Sequence, residues 1–140
     1  MYTTTKSATY IIDGHNFVRS CLMADAQTED NLTKEFLQML EELEGIENFY
    51  GSDFRVIFDG GYRNLGYRAL RNVNVRFAED ETADTLIYEQ AVYLHNNGQR
   101  VIVVTSDLAL QQDIKSHNIK TMFCQKFFNT VNRLIDNSYK

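Results

Sequence analysis

No proline occurs in the 140 residues, and no low-complexity tract or internal repeat interrupts them. Proline-rich linkers and solenoid arrays are thereby excluded. The two cysteines, Cys21 and Cys124, have neither CxxC spacing nor a Cys/His cluster around them. A zinc site and a disulfide framework are not expected, and both residues read as reduced, semi-buried thiols. No apolar run approaches the ~20 residues needed to span a bilayer, and the polar opening from Met1 to Lys6 lacks the apolar centre of a signal peptide. The expectation is a soluble, cytoplasmic protein without a membrane segment. A Gly-rich nucleotide fingerprint is also missing. What remains is a chain with 44% hydrophobic residues, enough for one ordinary packed domain over 1–140.

The net charge of −5 is awkward for a nucleic-acid binder, because phosphate contacts come from Lys and Arg. Its distribution changes that reading. Residues 24–53 carry nine acids against the single Lys34, whereas residues 54–76 carry Arg55, Arg63, Arg68, Arg71 and Arg76 against the single Asp59.

Hydrophobic patterning predicts alternating strands and helices. The runs 8–12, 54–58 and 101–105 are short, apolar and rich in β-branched or aromatic residues, as strands covered on both faces must be. Weaker strands are expected at 73–77 and 119–123. Helices are expected at about 17–23, at 31–44 with Gly45 at its C′ position, at 83–97 capped by Thr82 and closed by Gly98, at 108–116, and at 127–139 with Phe128, Val131, Leu134 and Ile135 inward. Such alternation predicts an α/β fold with a central parallel sheet of about five strands flanked by helices.

Asp13, Asp59 and Asp107 each follow a predicted strand, so they fall at the edge where open α/β sheets bind ligands. Asp84 shares a helical stripe with Ile87, Ala91 and Leu94, which predicts that its carboxylate faces the sheet and needs a partner there. Singly, each acid has a plain structural use, as an Asp-Gly turn residue or a helix cap. Together they bring four negative charges to one sheet end from four elements, an arrangement that favours a cation. Oxygen-only ligation suits Mg²⁺ or Mn²⁺. Asn16, Glu81 and Ser106 are supporting candidates, able to orient an acid, extend the ligand shell or contact a metal-bound water. His15 reads as a bystander more readily than as a catalyst. Arg63, Arg68 and Arg71 with Tyr62 and Tyr67 combine phosphate-binding cations with rings for stacking unpaired bases, or else form a solvated loop.

Tyr10-Ile11-Ile12-Asp13-Gly14-His15-Asn16, Val56-Ile57-Phe58-Asp59-Gly60, Glu81-Thr82-Ala83-Asp84 and Val104-Thr105-Ser106-Asp107-Leu108-Ala109-Leu110-Gln111, in this order, resemble the YacP-like branch of NYN-domain ribonucleases, within the PIN-like superfamily. The resemblance runs from about residue 8 to 125. It implies a single three-layer PIN-like domain, metal-dependent endonucleolytic cleavage of RNA, and acidic ligands at Asp13, Asp59, Asp84 and Asp107. Single-stranded RNA is the expected partner, either free or presented by a large assembly such as a ribosome. The chain departs from the family pattern at His15, where tyrosine is usual, at Gly60-Gly61, where alanine usually follows the acid, and in looking shorter at its C-terminal end.

Other classes fit less well. A phosphoacceptor receiver domain opens with adjacent acids and ends its fifth strand in lysine, whereas Gly14 follows Asp13 and Lys120 begins that strand. A haloacid-dehalogenase phosphatase wants an Asp where His15 sits. The stronger rival is a non-catalytic PIN-like module that binds RNA or protein.

Overall fold

Alternation along the strands sorts the helices into two layers. The computed structural model describes residues 7–25, 27–61 and 72–139. Strands β1 (Thr9–Asp13), β2 (Asp53–Asp59), β3 (Val73–Ala78), β4 (Val101–Val104) and β5 (Lys120–Met122) form one sheet in the order β3-β2-β1-β4-β5. Every pairing is parallel, with Thr9 in register with Asp53 on one side and Val101 on the other.

Tyr10, Ile12, Phe54, Val56, Ile102 and Val104 join one buried cluster with side chains of α1 (Gly14–Cys21), α2 (Glu29–Glu42) and α5 (Cys124–Ser138). Their alternates Ile11, Ile57, Val101 and Val103 join a second cluster with Ile87 and Leu94 of α3 (Ala83–Asn96) and Leu110 and Ile114 of α4 (Leu108–Lys115). Because both faces are covered, consecutive residues such as Ile11-Ile12 and Val103-Val104 are all fully buried. No helix among the described residues is long and apolar enough to cross a membrane.

β1 lies between β2 and β4, so the chain reverses its direction across the sheet after β3. The crossover through α3 accordingly covers the face opposite α1 and α2. Such a reversal opens a crevice beyond the carboxyl ends of the two central strands, here β1 and β4.

Three helix boundaries differ from the pattern-based expectation. α1 begins at Gly14 rather than near Phe17, because Asp13 ends β1 and caps the helix without an intervening turn. α2 stops at Glu42 and tightens into a 3₁₀ turn at Leu43–Gly45 that keeps Leu43 buried, so Gly45 does not serve as a left-handed stop. α5 begins at Cys124, one turn early, since the Cys124 N–H has a tertiary acceptor in Ser106 Oγ at 3.3 Å. Phe127 is thereby the deeply buried residue of that helix, and Phe128 only lies against the core. Gly98, at φ +82°, does close α3 as expected.

A candidate active site at the carboxyl edge of the sheet

Helix N-termini organise this edge. The Asp13 carboxylate accepts the Asn16 N–H at 3.4 Å and so caps α1. Asp107 caps α4 by accepting the Leu110 N–H at 3.1 Å. Asp59, at the end of β2, reaches over to accept the Ala83 N–H at 2.6 Å in the first turn of α3, and Asp84 sits in that same turn. Three helix N-termini thus face four carboxylates, each end contributing a partial positive charge worth ~0.3–1 kcal/mol to a nearby anion. Part of the repulsion expected among the acids is met in this way by the fold itself.

Not all of it is met. The pKa of Asp13 is raised to about 6: burial is the largest cause, the Asn16 amide and Thr105 hydroxyl oppose it, and the Asp84 and Asp59 charges add to it. The pKa of Asp84 is also raised, first by desolvation and then by the charges of Asp107 and Asp59. The four acids therefore sense one another across the crest. All the donors are hard oxygens, the type that suits a divalent cation such as Mg²⁺ or Mn²⁺. Among the described residues, however, no three His, Cys, Asp or Glu side chains close into an ion-sized cage. Mg²⁺ is often held by one or two carboxylates with waters and substrate phosphates, so the donor set fits in kind without a closed cage.

Asp84 departs from its expected position. The stripe of α3 that packs on the sheet is Ala83, Ile87, Ala91 and Leu94, and Asp84 is exposed. Ala83, one residue earlier, takes the inward position of that turn in the second core cluster, which leaves Asp84 on the exposed side of the stripe. Its charge needs no buried partner.

A layer of uncharged groups holds the acids. Thr105, fully buried, donates its hydroxyl to Asp13 Oδ2 at 3.1 Å and accepts the Asp107 N–H at 3.1 Å, joining two of the acids through one oxygen. Gln111, also buried, donates to the Thr105 carbonyl at 2.7 Å. The Asn16 side-chain oxygen accepts the Ser106 N–H at 2.8 Å and the Cys124 thiol at 3.2 Å, tying α1 to β4 and α5. Asn16 therefore meets Asp13 through its backbone N–H, while its side chain serves another strand. Ser106 anchors α5 and does not orient Asp107; Thr105 performs that task. Glu81 is exposed, and slight desolvation followed by the neighbouring Glu89 and Asp80 carboxyls raises its pKa.

His15 is held at both ring nitrogens, by Glu29 Oε1 at 2.8 Å and by the Asp59 carbonyl at 3.3 Å. That double engagement ties α1 to α2 and to the end of β2. The cysteines are free, with Cys124 buried and Cys21 half-buried. Tyr62, Arg63, Tyr67, Arg68 and Arg71 lie outside the described residues. Thr105, Gln111 and Cys124 escaped the pattern-based reading because hydrogen bonding across the fold, and not spacing, gives them their roles. Phe123, 47% exposed just after β5, and Leu108, opening α4 beside Asp107, add apolar surface at the same edge.

Gly14 is required by contact. A Cβ there would sit 2.4–2.8 Å from three ring carbons of Phe58, the residue before Asp59. Gly14→Ala is expected to cost about 1–3 kcal/mol, the usual price of overpacking, measured as a lower urea midpoint.

The YacP-like NYN domain model matches residues 10–140. Two solved structures are similar: Rae1 (YacP) from Bacillus subtilis, at TM-score 0.76 and 20% identity over 94% of this chain and 77% of that one, and a mutant of the same protein, at TM-score 0.73 and 22% identity over 92% and 77%. No curated protein matches the chain. The structural likeness supports the three-layer PIN-like fold, with a five-stranded parallel sheet between helical layers.

Proposed function

The chain belongs to the YacP-like NYN domain family, and from that premise we propose that it is a metal-dependent endoribonuclease acting on single-stranded RNA. The observation that carries the proposal is the placement of four mutually repelling carboxylates at the switch point of the sheet, each in or beside the first turn of a helix. Asp13, Asp59, Asp84 and Asp107 would hold Mg²⁺ or Mn²⁺, which supplies charge neutralisation at a phosphate and a water acidified for attack.

The chain's own groups do the positioning. Thr105 sets the spacing of Asp13 and Asp107, and the Asn16–Ser106–Cys124 bonds keep β1, β4 and α5 in register. Substrate recognition is assigned to Tyr62, Arg63, Tyr67, Arg68 and Arg71, which follow Asp59, Gly60 and Gly61 in the chain. Cations there draw a polyanion to a locally acidic site, and rings favour unpaired bases. A large assembly such as a ribosome would be one way to present the strand.

The test is incubation of the purified chain with a mixed-sequence single-stranded RNA in Mn²⁺ or Mg²⁺, beside EDTA. Cutting that EDTA abolishes, with 5′-phosphate and 3′-hydroxyl ends, is the expected result. Products ending in 2′,3′-cyclic phosphate would overturn it, since they require attack by the RNA's own 2′-hydroxyl. The second reading is a non-catalytic PIN-like module that binds RNA or protein. Metal binding without RNA turnover would support that alternative.

A further inference from the structure

A groove of about 470 Å³ descends from the acidic crest between α3 and α4. Asp84 and Ala109 line it in the first turns of the two helices, Tyr88 and Asp113 line it one turn further down, and Ser116 closes it just past α4. The volume lies in the ~300–1,000 Å³ range of small-molecule sites. Its position is telling, because one of its walls is also one of the crest acids.

Its lining separates a base from a phosphate. Among the described residues it offers Asp84 and Asp113 and neither Lys nor Arg, so a phosphate would be repelled from it. Ala109 and Leu110 give an apolar surface. The Tyr88 ring is held in place by a 2.6 Å hydrogen bond between its hydroxyl and His117 Nε2 and by an edge contact at 5.3 Å between ring centroids. A fixed ring, an apolar patch and an exposed carboxylate suit a flat, neutral group that carries N–H donors.

We propose that this groove is a base subsite, which takes the nucleobase beside the scissile phosphate against Tyr88 and accepts its exocyclic amino group at Asp113. The inference rests on the nuclease reading above and deepens it by naming a base preference: adenine, cytosine or guanine, whose exocyclic amino group offers two N–H donors, over uracil, which offers only its ring N3–H. Carboxylates read cytosine through its amino group in the same way in nucleic-acid complexes.

The experiment is cleavage of single-stranded RNA randomised around one cut site, followed by sequencing of the products. The wild-type chain is expected to disfavour uracil at one flanking position by about tenfold, the scale of one good base contact. Asp113→Ala should flatten that preference, and Tyr88→Leu should weaken cutting at every base there by about five- to tenfold, the scale of one lost stacking contact. Circular dichroism would check that both variants stay folded. No preference in the wild type, or a preference that survives Asp113→Ala, overturns the subsite while leaving the nuclease reading intact. Should the wild type cut nothing, titration with cytidine, adenosine, guanosine and uridine decides the matter. Amide shifts at Thr85, Ala109 and Asp113 for the first three and not for uridine support the subsite, and equal shifts for all four, or none, overturn it.

Discussion

Asp13→Asn is expected to lower RNA cleavage by at least about 100-fold, the cost of misplacing a reacting group, and at the same time to remove a pH-dependent penalty from the fold. The Asp13 side chain is 7% exposed, and its pKa is raised from 3.8 to about 6, with burial the largest cause. In EDTA, as pH rises from 4 to 6, the unfolded chain has already released this proton while the folded chain retains it. Stability therefore falls with rising pH across that window and is flat above it. At neutral pH the accumulated penalty is about 3 kcal/mol, at ~1.36 kcal/mol for each pH unit of separation. Asparagine does not titrate, so the stability of the variant relative to wild type should climb by that amount between pH 4 and pH 7.5. Urea unfolding at the two pH values measures it. Parallel profiles for the two proteins would mean that Asp13 ionises without cost and stores no repulsion. Saturating Mn²⁺ should flatten the wild-type slope, because a cation favours the ionised carboxylate. The double variant Asp84→Asn, Asp107→Asn should lose cleavage as fully and remain folded, since Asp84 is exposed and an asparagine can still cap α4 at position 107.

Phe127→Ala should cost about 3–5 kcal/mol, as large aromatic truncations in well-packed cores do. The ring is buried at the meeting point of three others, with centroids 5.6 Å from Tyr10, 6.1 Å from Phe17 and 6.5 Å from Phe54. Against a typical stability of ~5–15 kcal/mol the loss is large, and it should appear as a fall of roughly 10–15 °C in Tm. It would also reach the crest, because α5 is the element whose Cys124 binds both Ser106 and Asn16. Cleavage per folded molecule should then fall too, which separates loss of α5 docking from loss of folded protein alone. A variant that loses stability but keeps full specific activity would show that the crest does not depend on this anchor.

The runs 8–12, 54–58 and 101–105 were legible as strands because a sheet covered on both faces demands unbroken apolar runs, and few other elements tolerate them. The arrival of Asp13, Asp59 and Asp107 at one edge followed from the same reasoning, since parallel strands must share their carboxyl ends. Helix starts were read less well at Gly14 and Cys124, where the cap comes from the end of a strand or from a distant hydroxyl. Periodicity could place Asp84 in phase with Ile87 and Ala91 but could not tell that Ala83 takes the inward position of the first turn, so Asp84's exposure needed the tertiary arrangement. The bridge from Thr105 to Asp13 spans 92 residues and that from Cys124 to Asn16 spans 108, separations over which no local pattern carries information. The residues that carry charge, their order and the alternation of elements were thus determined by the sequence itself, because they follow from side-chain type and local period. Which polar groups hold those charges, and the groove between α3 and α4, were decided only by packing, which brings distant segments within hydrogen-bonding reach.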